Sequence, residues 1–364
     1  MLRTWCAQYP GRNLVFSPST LASALGMAYL GARGATATAM AQVLHLPAAA
    51  GTPLAAGLQA RSKALGALGG PGVTVTASDQ VWADPTLITS GTYLNSVATG
   101  YGAGLADAPF STDPGKAADE INGAISAQTH GHIKKLVSPD MLGQIGWVLT
   151  SALYLDAKWA TPFDEHKTQP EQFTTASGKQ VSVPFLIGDG FRYATAAGWQ
   201  AVSLPYKGGK LTMTALLPPQ NAGGCALPAQ AVLASITGNL RADRDPGDTV
   251  IGLPKVNLSL GDGEGNMGPV LKRLGMGVAF GQTADFTGLS PQAGAMGFVQ
   301  QAATLQVGEQ GTVGSAAAAV GIEASSAEVA PHEVTFDRPY LLLVSSNSTG
   351  EPLFLAEVAN PAAS

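Results

Sequence analysis

The chain has 364 residues, 45% of them hydrophobic and only 12% charged, against roughly 25% charged in ordinary globular domains. A formal net charge of −5 excludes the basic footprint that nucleic acid demands. No apolar run reaches the roughly 18 residues needed to cross a membrane, so a large core must take up the hydrophobic side chains.

The length suits one large domain or two medium ones. Cys6 and Cys225 lie far apart without metal-ligand spacing, and two cysteines are too few for a disulfide framework. Met1 to Pro10 holds no apolar stretch long enough for a signal peptide. On that reading the protein either stays in the cytoplasm or its gene begins upstream.

Residues 17–30 predict a helix, with Ser17 at the N-cap, Pro18 at the first helical position, then Leu21, Leu25, Ala28 and Leu30. Thr36 to Leu46 predicts a second, with Met40, Val43 and Leu44 on one face and Pro47 as its stop. Gly72 to Ala83 reads as a strand, and residues 114–130 as a helix carrying Ile121 and Ile125 one turn apart. From Trp147 the pattern turns to strand. Val148 to Leu155 is an apolar run of central-strand type. Val181 to Val183, Tyr206 to Leu217, Val250 to Leu260 and Ala302 to Val307 follow as further strands. Thr335-Phe336, Tyr340 to Val344 and Leu353 to Leu355 close the chain, the last two joined by a turn at Ser348 to Gly350. Helices gather in the first half and strands in the second, which predicts an α+β fold. No linker divides the halves and no repeat appears, so a single domain over 1–364 is expected.

Gly263-Glu264-Gly265-Asn266-Met267-Gly268 matches G-x-G-x-x-G, with Asp285 near the position of a ribose-binding acid. The stretch before it, Val256 to Leu260, alternates and is therefore half exposed, whereas a dinucleotide site needs a fully buried parallel strand. The motif is read as a turn. His130 and His132 have no Cys or acidic cluster at ligand spacing and read as a solvated loop after a helix. Nothing matches G-x-S-x-G. Neither catalytic residue, cofactor nor metal is expected.

Glu309 to Val329 carries almost no bulky side chains. A long structureless segment between strands inside a domain is uncommon and usually functional. If it is extended, Thr312, Gly314, Ala316, Ala318, Val320 and Ile322 share one uncharged face, and the first charge, Glu323, falls on the other. Such a segment can live in water as a loop and later join a sheet as a buried strand.

These residues carry a resemblance that spans nearly the whole chain. Asn13 to Pro18 is similar to the opening N-[IV]-[FVL]-F-S-P motif of the serpin family, and Gly31 to Thr36 to its GAKGNT-like turn. Ser151 to Phe163, with Lys158-Trp159 and Pro162-Phe163, resembles the family's strand and breach segment, and Thr168 matches a Thr of that pattern. Glu309 to Thr312 resembles the reactive-loop hinge. Phe336 to Tyr340 and Phe354 to Pro361 resemble the C-terminal signature and final strand. The resemblance implies a large mixed main sheet with two smaller sheets, about nine helices, and an exposed reactive-centre loop at 309–331 that inserts as a strand. Only twelve residues precede Asn13, so the family's first helix is expected to be truncated.

It further implies a monomeric suicide inhibitor of a serine protease, working outside the cell. The hinge residues would be Glu309, Gly311, Thr312, Gly314, Ala316 and Ala318; the breach and shutter would be Ser17, Thr20, Ser151, Trp159, Phe163, Thr168 and Gln301. Counting from Glu309 places the cut at Ser325-Ser326. Small residues there, with Ile322 upstream, favour elastase-like or subtilisin-like enzymes, whereas Glu323 or Glu328 would suit a glutamyl-specific one. Ser151 and Gln301 stand where the family pairs Asn with His, and a Ser-Gln hydrogen bond would replace that latch without titrating. Val313 and Gly314 depart from the usual acidic residue and Ala, which leaves a non-inhibitory serpin, acting as substrate, carrier or chaperone-like protein, as the alternative. The early helices hold no basic patch, so activation by heparin-like polyanions is not expected.

Overall fold

The helix after Ser17 forms because that residue stays extended, its hydroxyl accepts the Thr20 N–H at 3.2 Å, and Pro18 takes the first helical position. The computed structural model describes residues 1–46, 52–220, 222, 224–242, 249–260, 265–312 and 332–363. Its helices are α1 Leu2–Cys6, α2 Pro18–Gly31, α3 Gly34–Leu44, α4 Thr52–Gly66, α5 Gly91–Tyr101, α6 Pro114–Gln128, α7 Pro139–Leu142, α8 Gln230–Arg241 and α9 Gly268–Leu271. The strands begin with β1 Leu14–Phe16, β2 Val73–Ala83, β3 Gly104–Asp107, β4 Trp147–Lys158, β5 Gln169–Thr174, β6 Gln180–Ala196 and β7 Trp199–Pro205. They continue with β8 Leu211–Leu217, β9 Thr249–Pro254, β10 Val256–Ser259, β11 Thr304–Gly308, β12 Gly311–Thr312, β13 His332–Thr335, β14 Tyr340–Ser346 and β15 Pro352–Val358.

Two segments expected as single strands are broken, each for a local reason. Tyr206 to Leu217 turns at Lys207–Gly209, where Gly208 and Gly209 take φ of 77° and 65°, before β8 begins. Val250 to Leu260 divides at Lys255, whose N–H bonds the Pro184 carbonyl at 2.9 Å while the chain crosses from one sheet to the other. The second helix runs Gly34–Leu44, not Thr36 to Leu46, because His45 turns left-handed at φ 54° and closes it. Its expected stop, Pro47, lies outside the described residues.

Among the described residues the main sheet has six strands in the order β10-β11-β12-β4-β2-β3, with β2 and β3 parallel and the other neighbours antiparallel. The remaining strands form one continuous network, β1-β15-β14-β8-β7-β6-β9-β13, with β5 on β6. The two smaller sheets that the resemblance implies are thus joined through β6, which is long enough to serve both and shifts register between Gly188 and Phe191. One core lies between the main sheet and this network, where Leu153, Leu155 and Trp159 meet Phe185, Val202 and Met213. On its other side α6 covers the main sheet, with Ile121 and Ile125 packing near Trp82 and Val148.

Cys6 and Cys225, which their spacing leaves unpaired, meet as a disulfide with Cα atoms 5.7 Å apart. It ties α1 to the loop after β8. A contact across 219 residues depends on tertiary structure and leaves no local trace in the sequence.

Candidate functional site: the gap between β4 and β11

Among the described residues β4 and β11 do not pair with each other. Gly311 and Thr312 stand between them at one end, in register with Lys158 and Ala157 of β4 and with Gly308 and Val307 of β11. Below them lies a cavity of about 500 Å³, walled on one side by Val148 and Ser151 and on the other by Val299 and Gln301.

The upper end is closed tightly. Trp159 donates its backbone N–H to the Gln310 carbonyl at 2.9 Å and its indole N–H to that of Gly308 at 2.8 Å. The Phe163 N–H holds the Glu309 carbonyl at 2.9 Å. Between these bonds the Glu309 carboxylate accepts from the Thr168 hydroxyl at 3.0 Å and the Lys255 ammonium at 2.9 Å. Burial works to raise the Glu309 carboxyl, but the Lys255, backbone and Thr168 hydrogen bonds outweigh it and hold the group below the ordinary range.

Gly311 must be glycine here. A Cβ at that position would lie 2.1 Å from the Ala157 carbonyl oxygen. Thr312 is fully buried and shares a short hydrogen bond with the Tyr206 hydroxyl. Tyr206 stacks on Trp159 with ring centroids 4.6 Å apart, and burial pushes its phenol far above the usual value. Phe163 meets Trp159 edge-on at 6.5 Å and stacks on Phe191 at 5.4 Å.

The lower end is arranged differently. The Gln301 amide donates to the Ser17 carbonyl at 2.7 Å and the Thr20 hydroxyl at 3.1 Å, while its buried Oε1 has no hydrogen-bond partner among the described residues. Ser151 instead stands opposite Asp79, its register partner on β2. The expected Ser151–Gln301 bond is not made: the gap lies between the two walls, and the Gln301 amide is taken by Ser17 and Thr20. Burial raises the Asp79 carboxyl to about 6 against the Ser151 hydrogen bond and the Arg61 charge, and Asp79 Oδ1 also lacks a partner.

The structure thus brings Glu309, Gly311, Thr312, Trp159, Phe163 and Thr168 together at one end, and Ser17, Thr20, Ser151 and Gln301 around the other. Gly314, Ala316, Ala318, Ser325 and Ser326 lie outside the described residues. Sequence reasoning missed Lys255, Tyr206 and Asp79. Lys255 is the single charge in an apolar alternation from 249 to 260, and Asp79 the single charge within β2, so each stood out as an ion needing a partner.

The glycine motif serves packing. Its Gly263 and Glu264 lie outside the described residues, but a Cβ on Gly265 would sit 2.0 Å from the Gln301 carbonyl oxygen, and β10 before it is antiparallel to β11. Asp285 spends its carboxylate on the Thr287 N–H and hydroxyl. His130 and His132 lie against Tyr154, with ring centroids 4.4 and 5.6 Å away.

The sequence profile of the family described as Serpin (serine protease inhibitor) matches residues 1–361. The chain is 31% identical to Serpin-ZXA of Oryza sativa subsp. japonica, over 96% of this chain and 91% of that protein. It is 27% identical to the leukocyte elastase inhibitor of Bos taurus, over 97% of this chain and 94% of that one. Its fold matches human glycosylated kallistatin with a TM-score of 0.84 at 25% identity, over 99% of this chain and 94% of that structure. The closed upper end, the open gap beneath it and a match from end to end agree: the chain belongs to the serpin family.

Proposed function

We propose that this serpin inhibits a serine protease by serving as its substrate, the whole chain acting as one domain. The protease attacks the Ser325-Ser326 bond and forms an acyl-enzyme at Ser325. The freed loop then enters the gap between β4 and β11 and carries the protease with it before deacylation. Glu309 to Thr312 act as the hinge, Trp159, Phe163 and Thr168 hold the breach, and Ser17, Thr20, Ser151 and Gln301 line the shutter.

The observation that carries this reading is Thr312, buried at the head of a strand-wide gap. Each further loop residue steps one residue back along β4 from the Thr312–Ala157 pair, so residues 313–322 face Asp156 back to Trp147. Residues of even number then share the inward face of Thr312, and Gly314, Ala316, Ala318, Val320 and Ile322 are uncharged. Roughly ten added ladder positions, at about 0.5–1.5 kcal/mol of net hydrogen bonding each, supply the drive.

Small residues at the cut favour an elastase-like or subtilisin-like protease. The Cys6–Cys225 disulfide supports work in oxidising surroundings, outside the cell. The test is incubation with elastase, subtilisin, glutamyl endopeptidase and trypsin, read on a denaturing gel and by mass spectrometry of the released fragment. The expected result is a covalent complex with the first or second enzyme and a C-terminal fragment beginning within two residues of Ser326. Cleavage without any complex would sink the inhibitory reading, and cuts confined to 311–319 would sink the site assignment.

A further inference from the structure

Glu357 is an acid in an apolar strand, β15, and is only 3% exposed. Its register neighbours are Leu14 on β1 and Leu341 on β14. One carboxyl oxygen accepts the Cys225 N–H at 2.8 Å, and the other lies 2.9 Å from the sulfur of Cys6. Burial raises the carboxyl, opposed by the Cys225 N–H, and among the described residues no charged group shifts it. Cys6, Cys225 and Glu357 thus place their reactive atoms within 4.8 Å of one another. A disulfide sulfur carries no proton, so a hydrogen bond between Glu357 and Cys6 uses a proton held by the carboxyl group.

The two cysteines differ in exposure. Cys6 is 1% exposed, whereas Cys225 is half-buried in a loop where its backbone is left-handed at φ 67°, a conformation non-glycine residues seldom take. We propose that Cys6–Cys225 is a thiol–disulfide exchange site, with dithiols as its substrate class, in which Glu357 supplies the proton that Cys6 takes up. A thiolate of the dithiol attacks Sγ of Cys225, forming a mixed disulfide and breaking the bond to Cys6. The electron pair leaves on Cys6 Sγ, and the Glu357 proton moves to that sulfur. The second thiolate of the dithiol then attacks the mixed disulfide. The reductant departs as a cyclic disulfide, oxidised by two electrons, and Cys225 leaves as a thiolate that is protonated from water. The second proton given up by the reductant returns through solvent to Glu357. Were Glu357 ionised at the moment of attack, a thiolate and a carboxylate would face each other in a buried site, which is costly.

The product is a protein whose α1 has lost its covalent tie and keeps the packing of buried Leu2 and Trp5, the latter edge-on to Phe16 at 5.5 Å. The test uses the full chain, oxidised with oxidised glutathione, then exposed to dithiothreitol, quenched in acid, alkylated and weighed. Glu357→Gln keeps the size of the side chain and the acceptor for the Cys225 N–H but holds no carboxylic proton. The expected result is reduction about tenfold slower in the variant, at equal thiolate concentration and equal folded fraction. The parent rate per thiolate should fall as pH rises through the raised range of a buried carboxyl, while the variant rate stays flat. Should the variant fail to fold, the parent profile alone decides, since a flat profile overturns the proposal. Equal rates in parent and variant, or free Cys6 and Cys225 after oxidation, would overturn it too.

Discussion

The two ends of the gap between β4 and β11 follow opposite rules. At the upper end every group has a partner: Glu309 has two, Trp159 two, and Thr312 meets Tyr206. At the lower end a cavity of about 500 Å³ separates walls that carry Gln301, whose buried Oε1 has no partner among the described residues, and Ser151, which stands opposite Asp79. Unmet buried polar atoms cost about 1–3 kcal/mol each. On the proposed mechanism this difference has a reason: the upper end holds the first residues of an entering strand, and the lower end is where the cut loop would follow.

The most severe test of that contrast is to let the lower end fill. Clean single cleavage after residue 320 should raise the thermal midpoint strongly. Roughly ten new ladder bonds at about 0.5–1.5 kcal/mol each imply a gain on the order of 5–15 kcal/mol. Most proteins lose stability when cut, so an unchanged or lowered midpoint would mean that nothing enters the gap.

The next test blocks passage at the top. Thr312→Arg must place a charge where the native side chain is fully buried beside Tyr206, at a cost of several kcal/mol without a partner. The variant should be cut at the same bond and at a similar rate, yet release active protease, because insertion competes with deacylation. Val313→Arg, on the opposite face by alternation, should be much milder. Residual protease activity after incubation separates the two. If both inhibit like the parent, or both fail equally, the inward face is misassigned.

How much of this was legible beforehand depends on the range of the forces involved. Ser17-Pro18 announced α2 because capping is local, and the apolar run at Val148 to Leu155 announced a central strand. Glu309 to Val329 stood out because small, uncharged residues on one face are unusual inside a domain, although all of it after Thr312 lies outside the described residues. The helix α5 could not. Gly91 to Tyr101 is rich in Gly, Thr and Asn, weak helix formers, and is held by burying Tyr93, Val97 and Tyr101 one turn apart. The Cys6–Cys225 bond and the separation of Ser151 from Gln301 were hidden for a related reason, since both depend on how distant strands are placed. Resemblance suggested which positions face each other but not what these particular side chains would choose.

A smaller effect concerns Asp79, behind the lower wall. Its carboxyl is raised from 3.8 to about 6, so the folded form binds the proton more tightly than the unfolded one. Stability should therefore fall as pH rises through this window and level off above it. The shift corresponds to roughly 3 kcal/mol at most. Asp79→Asn should stabilise the uncut protein by about 2–3 kcal/mol at neutral pH and remove most of that fall, measured by denaturant unfolding at pH 4.5 and 7.5. A variant that is less stable at both would show the charge to be needed.

The smallest change asks whether the top is closed in both forms. Tyr206→Phe keeps the ring stacked on Trp159 but removes the hydroxyl that meets Thr312, leaving the threonine oxygen buried and unpaired. That costs about 1–2 kcal/mol. Thr312 is already seated before any cut, so the same amount should be lost from the uncut and the cleaved protein. The gain on cleavage should then be unchanged, unlike any substitution that acts only where the entering strand lies. Guanidinium midpoints for parent and variant, each before and after cleavage, give the four values required. A loss confined to the cleaved form would mean that Thr312 takes its place only afterwards, and the two ends of the gap would no longer differ.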